Sequence, residues 1–160
     1  MSAQALEQQG VEIQAFVGLL RAHASVTRRF SADLVADHGL TLSAYEVLLR
    51  LALAPDRRLR RVDLAEEVLL TPSGITRLLA GLERSGYVER ASCESDARVT
   101  YAQLTDAGLA KLREARMTHR AGIHDVFVDR FSVEELETLR DLLQRLPLEP
   151  GDESAADCEV

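Results

Sequence analysis

The side chains with chemistry to offer are mostly hydroxyls and guanidiniums, and they concentrate between Arg60 and Thr105. Helical spacing sets Ile75, Leu78, Leu79 and Leu82 on one face. Ser73, Gly74, Thr76 and Arg77 are left on or near the other, behind a Thr71 cap. A small polar face admits close approach to a nucleic acid, and its hydroxyls bond bases or phosphates. An Arg on such a face can take a guanine edge through two hydrogen bonds, worth about 1–3 kcal/mol of discrimination. Arg90 and the pair Asp96-x-Arg98 follow in a stretch of alternating residues. Asp96 would steer Arg98 through a carboxylate contact, and an Arg at a hairpin tip suits a narrow, electronegative minor groove. Arg57, Arg58, Arg60 and Arg61 lie just ahead and offer phosphate contacts. The plainer alternatives are a solvated helix face, a solvated loop and an exposed turn ion pair worth under about 1 kcal/mol.

This is chemistry of binding. There is no Gly-rich phosphate loop, nucleophile elbow, or dense carboxylate or metal cluster, so neither an enzyme nor a cofactor is expected. The four histidines are His23, His38, His119 and His124. His119 and His124 stand five apart, and on an α-helix that spacing rotates the second away from the first. Joined by His23 or His38 across a dimer they would make a metal sensor; surface or interface roles are the alternative, and no metal site is assigned. Cys93 and Cys158 lack metal-type spacing and point to a reducing cytosol, not a disulfide framework. Glu94 beside Cys93 disfavours a reactive thiolate.

These residues need elements to hold them. Residues 11–36 read as a long helix, with Ile13, Phe16, Val17, Leu20, Ala24, Phe30 and Leu34 at steps near three and four, and Gly39 suited to a left-handed cap. Ser43–Leu53 reads as a second, started by a Ser43/Glu46 capping box and ended by Pro55. Arg60–Val68 and Pro72–Ser85 are the pair of a helix-turn-helix, with Thr71 as N-cap and Pro72 at the first helical position. After Gly86 the period falls to two, giving strands at 87–90 and 99–104 around a charged turn. Thr105 caps a helix of 106–130, and a Ser132/Glu135 capping box starts another at 133–146. The fold class is therefore mainly α with a small β wing: a winged helix-turn-helix lobe plus a helical dimerisation region (α+β).

The chain has 160 residues, enough for one domain with a core, expected over 11–146. Residues 1–10 read as a flexible start and 147–160 as a flexible acidic tail. No apolar run spans a bilayer and no signal peptide is visible, so a cytoplasmic protein with no membrane partner is expected. A net charge of −7 looks wrong for a polyanion partner. Yet residues 57–98 hold eight Arg against seven acidic residues, a balance of +1 that leaves −8 elsewhere. Screening confines the relevant field to about 10 Å, so a local basic face suffices. Val126, Phe127, Val128 and Phe131, then a row from Val133 to Leu146, are more apolar than lone surface helices need. They form either an intramolecular core or a dimer interface.

Leu64-Ala65-Glu66, Ile75-Thr76-Arg77-Leu78, Leu82-Glu83-x-x-Gly86-Tyr87-Val88-x-Arg90, Asp96-x-Arg98 and Leu104-Thr105-x-x-Gly108, in this order, resemble the MarR family of bacterial transcription regulators. The resemblance covers residues 11–146. It implies a homodimer joined through the first and the last two helices, a recognition helix beginning near Pro72, and a wing whose tip Arg enters the minor groove. It implies a pseudo-palindromic double-stranded DNA operator, usually repressed, and release by a small ligand or by oxidation. The implied effector is an aromatic or phenolic acid between the dimer helices and the DNA-binding lobe, where Arg21, His23, Tyr45, Arg116 and Arg120 are candidate anchors. Zinc-responsive relatives keep a metal-responsive regulator as an alternative. Oxidation-sensing relatives carry a cysteine in the first helix; this chain has none there. Family wings often place a second Arg where Ala97 stands. A winged helix that binds proteins is the remaining alternative, favoured by the acidic charge and opposed by the basic wing.

Overall fold

Four helices begin where a hydroxyl can take up a free backbone N–H. Thr41, Thr71, Thr105 and Ser132 each accept the N–H of the residue three further on. The structure, a computed structural model, describes residues 10–68, 70–92 and 100–146. Helix α1 spans Val11–His38 and α2 Leu42–Leu53. A 3₁₀ turn at Pro55–Arg57 leads into strand β1 (Arg58–Arg60) and helix α3 (Arg61–Glu67). Helix α4 (Pro72–Arg84) precedes strands β2 (Val88–Ser92) and β3 (Thr100–Leu104). Helix α5 (Asp106–Ile123) runs into a π-helical turn, His124–Val128, and α6 spans Val133–Leu143.

Several boundaries differ from the sequence reading. α2 is capped by Thr41, not Ser43: the Thr41 hydroxyl lies 3.2 Å from the Ala44 N–H, which puts Ser43 and Glu46 inside the helix. α1 continues two residues further, to His38, and Gly39 takes up the expected left-handed conformation at φ 68°. α5 stops at Ile123, and the residues read as its last turns are π-helical. The arginine-rich segment read as a loop contains β1, paired antiparallel with β3. The sheet order is β1-β3-β2, so the wing has a third strand. The Ser132/Glu135 capping box forms as expected.

The core lies in the central lobe. Leu34, Leu48, Leu51, Leu64 and Leu79 are fully buried, joined by Val88, Ala102 and Leu104 of the sheet and Leu112 and Ala115 of α5. Gly108 sits where α5 crosses the α4–β2 turn: a Cβ there would collide with the Tyr87 carbonyl and come within 2.7 Å of Leu104 Cδ1. The C-terminal elements contribute little. Neither the π turn nor α6 holds a buried residue. Phe16, Leu20, Phe131 and Leu142 stay 43–60% exposed, so the lobe's core does not absorb the apolar rows.

Candidate nucleic-acid interface

The α4 face takes shape from its first turn. Thr71 accepts the Gly74 N–H at 3.1 Å, and Pro72 follows with no N–H left unpaired. Ile75, Leu79 and Leu82 are buried. Thr71, Ser73, Thr76 and Arg77 are exposed and Gly74 is half-buried, so the structure gathers these five on one outer surface. The Thr76 hydroxyl donates to the Pro72 carbonyl at 2.7 Å, and Arg77 Nε donates to the Ser73 carbonyl at 3.4 Å. A 3.3 Å bond joins the Thr71 and Ser73 hydroxyls.

The arginines around α4 are held in different ways. Arg60 donates through Nε and Nη2 to both carboxylate oxygens of Asp63, 2.6 Å each. Arg90 Nε lies 3.0 Å from both oxygens of Glu83. The carboxylate hydrogen bond, and then its charge, raise the pKa of each of these guanidiniums. Arg57 pairs with Asp106 at 3.0 Å, and Arg58 lies over the Tyr101 ring at 5.3 Å. Arg61 is half-buried, and its Nη2 is buried with no hydrogen-bond partner among the described residues. Much of the arginine cluster before α3 therefore has internal contacts. Sequence reasoning missed Asp63 and Glu83: Asp63, three residues after Arg60, offered a local charge-pair signal, whereas the Glu83–Arg90 bond joins two elements. Asp96, Arg98 and Cys93 lie outside the described residues.

The candidate effector residues do not form one cluster of equal exposure. Tyr45 is 3% exposed, with its ring 4.6 Å from His119, which meets Phe30 edge-on at 5.3 Å. Burial lowers the pKa of His119. Arg21, His23 and Arg120 are exposed, and Arg116 is half-buried. Burial raises the pKa of Glu46 on α2, opposed by the charges of Arg50 and His23, which places His23 beside α2. His119 belongs with Tyr45, an aromatic contact between residues too far apart in the chain for spacing to reveal.

The four histidines occupy separate environments. Thr118 donates its hydroxyl hydrogen to Asp37 at 3.0 Å, so the 2.9 Å bond from His38 must come from a protonated Nε2. His124 Nδ1 lies 3.3 Å from Asp129, an i,i+5 contact that the wider π turn allows. His124, Asp125 and Asp129 form an exposed group with ligand atoms within 4.8 Å of one another. Asp125 is also bonded to Arg29, at 2.8 Å.

This geometry has counterparts among known proteins. Residues 38–99 match the sequence profile of the MarR family. The HTH-type transcriptional repressor YetL of Bacillus subtilis is 35% identical over 115 residues, which cover 69% of this chain and 68% of that protein. AbsC, a MarR family transcriptional regulator from Streptomyces coelicolor, superposes with a TM-score of 0.77 at 30% identity, over 85% of this chain and 91% of its own. The chain belongs to the MarR family. Another MarR family regulator from Streptomyces coelicolor, Sco3205, was solved in complex with DNA and superposes with a TM-score of 0.78 at 30% identity, covering 85% and 86% of the two chains. This MarR-family chain is thus a transcriptional regulator and not an enzyme. No helix among its described residues is long and apolar enough to cross a membrane.

Proposed function

We propose that this regulator is a homodimeric, sequence-specific repressor that leaves a pseudo-palindromic operator when a small aromatic or phenolic acid binds. The observation that carries DNA recognition is the outer face of α4. Ser73, Thr76 and Arg77 stand exposed beside the β2–β3 hairpin, with the apolar face of the helix locked in the core. Thr71, Gly74 and Arg77 approach the major groove, and Arg60, Arg61 and Arg90 lie at its margins; Asp96 and Arg98, outside the described residues, complete the proposed contact set. The dimer reading rests on uncovered apolar surface. A groove of about 840 Å³ between α1 and the C-terminal helices is lined by Val26, Phe127, Phe131, Leu139 and Leu142. The exposed Phe16 and Leu20 of α1 supply matching apolar surface on a second copy.

Tyr45 and Phe30 are buried, so the half-buried His119 is the part of this aromatic cluster that an effector would reach. Arg21, His23, Arg116 and Arg120 offer cations for its carboxylate. A metal-responsive reading has less support, since the group of possible ligands found among the described residues, His124 with Asp125 and Asp129, is exposed and Asp125 is bonded to Arg29.

The test is selection of duplexes from a random-sequence pool by the purified protein, followed by binding to the selected duplex at 50 and 200 mM salt. A dimer neutralising roughly 6–10 phosphates loses about 10³–10⁵ in affinity over that range. Addition of hydroxybenzoate should release the duplex, and a chelator should not. No enrichment of any sequence would instead favour a winged helix that binds protein.

A further inference from the structure

The Glu83–Arg90 pair spans the junction of α4 with β2, and three other contacts fix the same junction. Thr105 donates its hydroxyl to the Gly86 carbonyl at 2.7 Å and its N–H to the Tyr87 carbonyl at 3.1 Å. Gly108 lets α5 lie directly on the Tyr87 carbonyl. Those contacts clamp the turn from the α5 side. Glu83 and Arg90 close it from the other, with Arg90 Nε shared between both carboxylate oxygens at 3.0 Å.

The strand register fixes where Arg90 points. Arg90 is opposite Ala102 in the β2–β3 ladder, so the two side chains share a face. Ala102 is 2% exposed, so that face is the one turned toward the core. The Glu83 side chain is 21% exposed and the Arg90 side chain 60%, so the pair sits at the rim of that face with its guanidinium open to solvent.

We propose that Glu83 and Arg90 are positioning residues, a brace that fixes the angle between α4 and the hairpin so that both reach their grooves together, and that Arg90 is not itself a phosphate ligand. This rests on the reading that α4 and the hairpin dock on DNA. A brace acts through geometry, so its loss lowers the preference for the selected duplex over a scrambled one, while α4 and the hairpin keep their own contacts.

The experiment compares Glu83→Gln, Arg90→Gln, both together, and the charge exchange Glu83→Arg/Arg90→Glu. The full chain is used, with Arg77→Ala as a control. The readout is the ratio of affinities for the selected and scrambled duplexes, with melting temperature and dimer mass confirming the fold. Each neutral variant should cut the ratio by up to roughly fivefold, the upper end for a solvent-exposed ion pair, and the double should be no worse than either single. The exchange, which keeps the net charge, should restore the ratio to within about threefold of wild type. If Arg90→Gln costs preference while Glu83→Gln does not, and the exchange fails to restore it, Arg90 touches DNA and the brace is overturned. If only Arg77→Ala has an effect, the brace falls and the docking reading stands. If Arg77→Ala is silent as well, both fall.

Discussion

Arg77 and Arg90 lie thirteen residues apart and both are exposed, yet their surroundings give them different work. Among the described residues Arg77 Nε is bonded along its own helix, to the Ser73 carbonyl, whereas Arg90 is engaged by a carboxylate from another element. Gly108 shows the same dependence on surroundings. Alanine normally stabilises a helix interior relative to glycine by up to about 1 kcal/mol. At this position the added Cβ meets the Tyr87 backbone, which cannot rotate away. Gly108→Ala should therefore lower the unfolding free energy by about 1–3 kcal/mol, read from urea denaturation. His119 gives a pH dependence whose sign is set by burial. The unfolded chain takes up this proton near the ordinary histidine value of 6.5 and the folded chain only at lower pH. Stability is then complete above pH 6.5 and declines as the pH falls through the lowered folded value. Urea midpoints measured from pH 7.5 down to 5 should fall, and His119→Gln should flatten that decline.

At the scale of elements, α4 depends on its cap. The Thr71 hydroxyl satisfies the Gly74 N–H and sets the start of the face that carries Ser73 and Thr76. Thr71→Ala should cost about 0.5–2 kcal/mol of stability and weaken DNA binding as well, whereas Ser132→Ala at the α6 cap should cost stability alone. Calorimetry beside fluorescence anisotropy on the selected duplex separates the two. Caps of this kind are legible in a sequence because donor and acceptor lie three residues apart. Thr41 shows the limit: Ser43, two residues on, made an equally plausible cap, and short-range spacing did not separate the two. β1 was not legible at all. Three residues, two arginines around a leucine, are too short a run to carry a strand signal by themselves, and their partner β3 begins forty residues later.

The whole molecule divides into a packed lobe and helical flanks that keep their apolar surface uncovered. If a second copy covers that surface, a charge in the groove should split the dimer and leave the lobe intact. Leu139→Asp is expected to give a monomer by light scattering, with helical circular dichroism retained. Its affinity for the selected duplex should fall by about 10²-fold or more, because one half-site is lost. By itself the sequence determined the helix-turn-helix, the strand pair, three of the four caps, and the family, because these rest on periodicity and short-range hydrogen bonds. The exposed polar face of α4 was equally readable, since helical geometry fixes which residues oppose a buried stripe. Only the tertiary structure decided that Arg60 and Arg90 are tied to Asp63 and Glu83, that His119 lies between Tyr45 and Phe30, and that His124 meets Asp129 on a π turn. The contacts of Arg90 and His119 join different elements, which spacing along the chain does not encode; those of Arg60 and His124 are close in the chain, but they depend on the local backbone at the start of α3 and on the π turn.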